Sequence, residues 1–153
     1  MEPSPKTGLN HLSARTEEQK ALMAKIEEDG VCPFCAEHFR KYHPKPILRE
    51  TEYWFVTENM SPYEGTTHHF LFVYKPAHIN RPDQMLPGAA DDLMALVAWL
   101  EKEFAIEGGS FFMRFGDTRT NGGSVSHLHA QLITGKPYQE GAEAIRVKLG
   151  WKS

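Results

Sequence analysis

Cysteine is scarce in this chain: of 153 residues only two, Cys32 and Cys35, carry a thiol. A single pair spaced this way excludes a disulfide-stapled scaffold. Long apolar runs are also missing, and none approaches the roughly 20 residues needed to cross a bilayer. The opening Met1-Glu2-Pro3-Ser4-Pro5 lacks the apolar stretch of a secretory signal. A cytoplasmic protein with no membrane partner is the expectation. Charge of one sign is not in large excess either. A formal net charge of -3 argues against general affinity for polymeric DNA or RNA, while a local basic pocket stays open.

What is present is an ordinary globular composition, 41% hydrophobic and 24% charged. That length suits one domain, expected over 16–153 behind a flexible segment 1–15 rich in Pro, Ser, Gly and Asn. Thr16 reads as an N-cap with Glu17 and Glu18 in the first turn, and Gly30 as a stop, which predicts a helix over 16–29. The Cys32-Pro33-Phe34-Cys35 knuckle follows, with a short helical turn after it. Strands are expected at Ile47–Glu50, Tyr53–Thr57, His69–Tyr74, Ser110–Phe115 and His127–Thr134. A second helix is expected over 88–105, with Leu93, Leu96, Val97, Leu100 and Phe104 at helical spacing. Gly116–Val125 reads as a polar loop and Glu140–Leu149 as a short helix. The order predicts an α+β fold.

The sharpest signal lies near the end. In a strand, alternate residues face the same way, so His127, His129 and Gln131 share one face while Leu128, Ala130 and Leu132 can face a core. Just upstream, Asn121-Gly122-Gly123-Ser124 offers backbone N–H groups and a hydroxyl suited to an anion such as phosphate. Half-buried histidines beside a plain turn would read the same way taken singly. The adjacency of the two features favours a site. The Cys-x-x-Cys suits two ligands of a metal ion, with a redox pair or two inert buried thiols as the alternatives.

His127-Leu128-His129-Ala130-Gln131-Leu132-Ile133 resembles the signature of the histidine-triad superfamily, with Gln131 where most members have a third histidine. That form is similar to the branch of galactose-1-phosphate uridylyltransferases and diadenosine-polyphosphate phosphorylases. The resemblance extends from about Cys32 to Gly135. It takes in the apolar strand Phe70-Leu71-Phe72-Val73-Tyr74 leading to Pro76 and His78, and the loop Asn59-Met60-Ser61-Pro62. It implies a histidine-triad-like antiparallel sheet of about five strands with flanking helices, and a homodimer.

By this resemblance His129 is the nucleophile, attacking the α-phosphorus of a nucleotide to form a nucleotidyl-histidine. Its other ring nitrogen would be held by an acceptor such as a backbone carbonyl. Ser124, the N–H groups of Gly122 and Gly123, and Gln131 would stabilise the phosphoryl oxygens. Gln131 cannot titrate, so the leaving group would have to be a good one. Asn59 would take the ribose hydroxyls, an even choice against a plain turn residue. Gly116 stands where transferase relatives have Asn, with Asp117 or Asn121 as substitutes, and Arg114 and Arg119 supply nearby positive charge.

A structural zinc would be held by Cys32, Cys35, His78 and His127, with His69 or His68 as replacements for His78. Trp54, Phe55 and Phe72 would line a base pocket or the core, and Trp99 would face a partner subunit. The expected function is cleavage or transfer of nucleoside monophosphate from a dinucleoside polyphosphate or related nucleotide. A dinucleoside polyphosphate or nucleoside phosphoramidate hydrolase is the first alternative, and a non-catalytic nucleotide-binding regulatory module the second.

Overall fold

The computed structural model describes Leu9 and residues 16–153. The expected flexible segment 1–15 therefore lies outside the described residues except for Leu9, which is buried and bridges to Val125. Helix α1, Glu17–Asp29, starts where the Thr16 hydroxyl accepts from the Gln19 N–H at 3.0 Å. It stops at Gly30, whose φ of 71° is the left-handed conformation glycine adopts without a Cβ penalty. The knuckle leads into α2, Ala36–Tyr42.

Five strands follow: β1 Ile47–Glu50, β2 Trp54–Glu58, β3 His68–Tyr74, β4 Ser110–Arg114 and β5 His129–Thr134. Helix α3, Ala89–Glu103, lies between β3 and β4, and the short α4, Thr118–Asn121, between β4 and β5. The sheet order is β1-β2-β3-β5-β4 with every pair antiparallel. This is the expected α+β architecture.

The sheet is covered on both faces. On one, Val56, Phe72, Ala130 and Leu132 pack with Leu93, Leu96 and Leu100 of α3. The Trp54 indole N–H donates to the Ala89 carbonyl at 2.9 Å, tying α3 to β2. On the other face Phe39 of α2 stacks on Phe55, with ring centroids 4.9 Å apart, beside Leu71 and Val73. Met23 and Ile26 of α1 meet Leu9 and Tyr42 in a separate small cluster. Double cover is why β3 reads as a continuous apolar run and not as an alternation.

Three local expectations are corrected. The last strand begins at His129, because the His127 carbonyl takes the His129 side chain and the Leu128 N–H goes to Ile79. The loop 116–125 contains α4, capped by the Asp117 carboxylate accepting from the Arg119 N–H. Residues 140–149 form no helix: Gly141 is left-handed, and the Lys148 carbonyl is taken by the Arg114 guanidinium. Of the two readings of Trp54, Phe55 and Phe72, the core is the one observed: all three are fully buried. Trp99 lies partly buried against the α3 core, with the Arg49 guanidinium 4.8 Å above its ring.

Because Phe72 is fully buried between the sheet and α3, Phe72→Ala is expected to cost about 3–5 kcal/mol of stability. Equilibrium denaturant unfolding checks this. A loss below about 1 kcal/mol would mean that this layer collapses around the gap.

Candidate active site and metal centre

Two neighbouring constellations grow out of the segment 127–131. The first gathers Cys32, Cys35, His78 and His127, whose ligand atoms all lie within 4.8 Å of one another. The His127 Nδ1 is 3.6 Å from the Cys32 Sγ, 3.7 Å from the Cys35 Sγ and 3.2 Å from the His78 Nδ1. The Cys35 Sγ is 3.4 Å from the His78 Nδ1. Around a tetrahedral zinc ion, sulfur and nitrogen ligands sit about 3.6 Å apart and two nitrogens about 3.3 Å apart. The donor set thus has the composition and spacing of a closed four-ligand metal site.

The His127 Nε2 lies 2.6 Å from the Tyr74 carbonyl. A carbonyl only accepts, so Nε2 carries the proton and Nδ1 presents its lone pair to the cluster. Among the thiols, a hydrogen bond from Cys35 lowers the Cys32 pKa, and the same bond together with burial raises that of Cys35. The bond to Cys35 raises the pKa of His78. His69 and His68 stand apart from this cluster, so the set contains His78.

The second constellation lines a cavity of about 470 Å³ on the face of the sheet away from α3. His129, Gln131, Ser124, Gly122 and Asn59 all reach it. Its apolar lining includes Leu22, Met23 and Ile26 of α1 with Phe39 and Leu71, and its basic lining Arg114, Arg146 and Lys148. His129 is buried, and its Nδ1 donates to the His127 carbonyl at 2.7 Å. That bond fixes the tautomer and leaves Nε2 unprotonated. Burial, chiefly, lowers the His129 pKa to about 4, so the ring is neutral at pH 7. The Phe34 ring of the knuckle meets the imidazole edge-on, with centroids 5.1 Å apart.

Gln131 is held by a residue that sequence reasoning did not place here. The Tyr63 N–H donates to the His69 Nδ1 at 3.1 Å, so His69 carries its proton on Nε2 and donates it to the Gln131 Oε1. Gln131 thereby keeps its NH₂ as a donor for the cavity it lines. No signal in the sequence gives this contact: it follows from the β3–β5 register, which pairs Leu71 with Gln131 and puts His69, two residues before Leu71, on the same face.

Other expected residues lie elsewhere. The Gly123 N–H donates to the Asn121 Oδ1 at 2.8 Å, and the Asn121 amide donates to the Phe115 carbonyl. These two residues brace their own loop and do not face the cavity. Asp117 and Arg119 pair with each other outside the cavity, so neither they nor Asn121 stand in for the missing Asn. Gly116, with φ of 76°, turns the chain out of β4 while its N–H donates to Asn80. Arg114 reaches the cavity but spends its guanidinium on Tyr63 and on the Asn121 and Lys148 carbonyls. Asn59 accepts the Ser61 N–H at 2.8 Å in a turn while still lining the cavity.

No family model matches the chain, and no curated protein matches it. Solved structures do. A HIT-like protein is 18% identical, with a TM-score of 0.51, over 63% of this chain and 92% of its own. A histidine triad protein from Clostridium difficile is also 18% identical, with a TM-score of 0.50, over 67% of this chain and 90% of its own. The chain thus has the histidine-triad fold.

The hydrogen bonds assign a tautomer to each of three rings: Nδ1–H for His129, and Nε2–H for His127 and His69. Long-range proton–nitrogen NMR correlation at neutral pH should resolve this pattern. An Nε2-protonated His129 would contradict the geometry.

Proposed function

We propose that this chain is a histidine-triad enzyme that cleaves or transfers nucleoside monophosphate from a nucleotide substrate through a covalent nucleotidyl-His129 intermediate. The single observation that carries the reading is the bond from the His129 Nδ1 to the His127 carbonyl. It leaves the Nε2 lone pair of a neutral ring in a cavity large enough for one nucleotide. Nε2 forms a bond to the α-phosphorus. The bond from phosphorus to the leaving oxygen breaks, and its electron pair departs with that oxygen. The Gln131 NH₂ and the Ser124 hydroxyl are the donors for charge on the phosphoryl oxygens. Water or inorganic phosphate then attacks the phosphorus and frees His129.

Gln131 supplies no proton to the leaving group, which favours a substrate whose leaving group is itself a phosphate or polyphosphate. Dinucleoside polyphosphates fit this better than phosphoramidates. In this reading Asn59 takes the ribose and the apolar side chains of α1 take the base, all of them residues that line the cavity. The tie to the uridylyltransferase and phosphorylase branch rests on Gln131 alone. The likeness to solved histidine-triad proteins supports the fold on which this chemistry stands.

The four-residue donor set is assigned to structural zinc, held by Cys32, Cys35, His78 and His127. When bound, the ion supplies a closed cross-link and no open position for substrate. Its residues join the knuckle bearing Phe34 to the segment entering β5. Metal analysis should find about one zinc per chain, absent in Cys35→Ser. Chelation should lower the Tm; a metal-free protein with unchanged Tm under chelator would remove the assignment.

Intact mass after mixing with diadenosine tetraphosphate, and separately with a uridine diphosphate sugar, tests the chemistry under an alkaline quench. A gain of one nucleoside monophosphate that His129→Ala abolishes is the expected result. Products made with and without inorganic phosphate then separate transfer from hydrolysis. Tight nucleotide binding with both donors intact over hours would point to a non-catalytic binding module.

A further inference from the structure

The segment after β5 has no helix or strand, yet it returns across the site. Ile145 packs near Gly65 and Gly135, and Arg146, Val147 and Lys148 line the cavity that holds His129. Two fasteners hold it. The Arg114 guanidinium donates through Nε and Nη2 to the Lys148 carbonyl. Gly122 lies so close that a Cβ there would come within 2.8 Å of the Lys148 Cβ, and Gly150 similarly abuts the Thr120 carbonyl.

The loop bearing Ser124 and this strap are therefore built against each other. Lys148 meets this loop through its Cβ and carbonyl, and Arg146 and Lys148 line the same cavity as Ser124 and His129. Arg114 is consumed as the fastener. Arg146, by contrast, makes no ion pair among the described residues. The Lys148 ammonium meets no acid there either, lying 5.7 Å over the Trp151 ring.

We infer that the strap residues Arg146 and Lys148 form a subsite for the phosphate chain beyond the α-phosphoryl group, making the cavity selective for polyphosphorylated nucleotides over monophosphates. The inference rests on the nucleotide reading of the cavity. Two cations on one strap suit a flexible polyanion, with arginine giving paired N–H donors and lysine a point charge. Both side chains are exposed, so their contribution is screened by salt. Selectivity should accordingly be largest at low ionic strength.

The test is calorimetric titration of the wild-type chain and the double variant Arg146→Gln/Lys148→Gln with AMP, ATP and inorganic tripolyphosphate at low and high salt. Wild type should bind ATP more tightly than AMP. The double variant should lose about tenfold in ATP affinity and all tripolyphosphate binding, with AMP changed less than about twofold. High salt should erase the difference between the two proteins. Equal loss for AMP and ATP, or no loss for either, overturns the subsite while AMP binding keeps the nucleotide reading. Tripolyphosphate binding that depends on the two cations, with no response to AMP, would keep the strap as a polyanion subsite and remove the nucleotide reading instead. Circular dichroism of the double variant, expected to match wild type, excludes misfolding as the cause.

Discussion

The site depends on the three bonds made around one residue, His127. Its Nε2 proton is held by the Tyr74 carbonyl, its Nδ1 lone pair faces two thiols and His78, and its own carbonyl holds the His129 ring. Without the Tyr74 contact the tautomer is unset, and with it the lone pair that Nδ1 turns towards the thiols and His78. The His129 orientation rests on the same peptide. A buried imidazole satisfied at every polar position is hard to move, and it transmits order from the knuckle to the strand.

Much of this was legible in the sequence because it followed from strand geometry. Alternation placed His129 and Gln131 on one face and Ala130 and Leu132 on the other, as the packing has it. The Cys-x-x-Cys spacing pointed to two members of the metal-type cluster, and the family resemblance supplied the two distant histidines that join them. Local turn chemistry gave the cap at Thr16 and the stop at Gly30.

What could not be read depended on contacts distant in sequence. The β3–β5 register that brings His69 to Gln131 is set by tertiary pairing, and nothing in either strand alone specifies it. The aromatics of β2 and β3 are core because both faces of the sheet are covered, which their sequence shares with a pocket lining. The residues after 139 carry a helical pattern of charges and aliphatics. A guanidinium and two close-packed glycines pull them instead into an irregular path. Gly123 and Asn121 illustrate the same limit. A Gly-rich loop advertises free amides, but a neighbouring side chain can take them first.

Helix α1 docks through a small cluster of its own, Met23 and Ile26 with Leu9 and Tyr42, separate from the main core. Leu22, Met23 and Ile26 of the helix also line the open cavity. An apolar group that enters there adds to the contacts of the helix. Occupancy of the cavity and docking of α1 are then linked equilibria: a ligand raises the local stability of the helix by its binding free energy, and a looser helix weakens the ligand by the same amount. The opening free energy of α1 thus carries a contribution from the contents of the site beneath it.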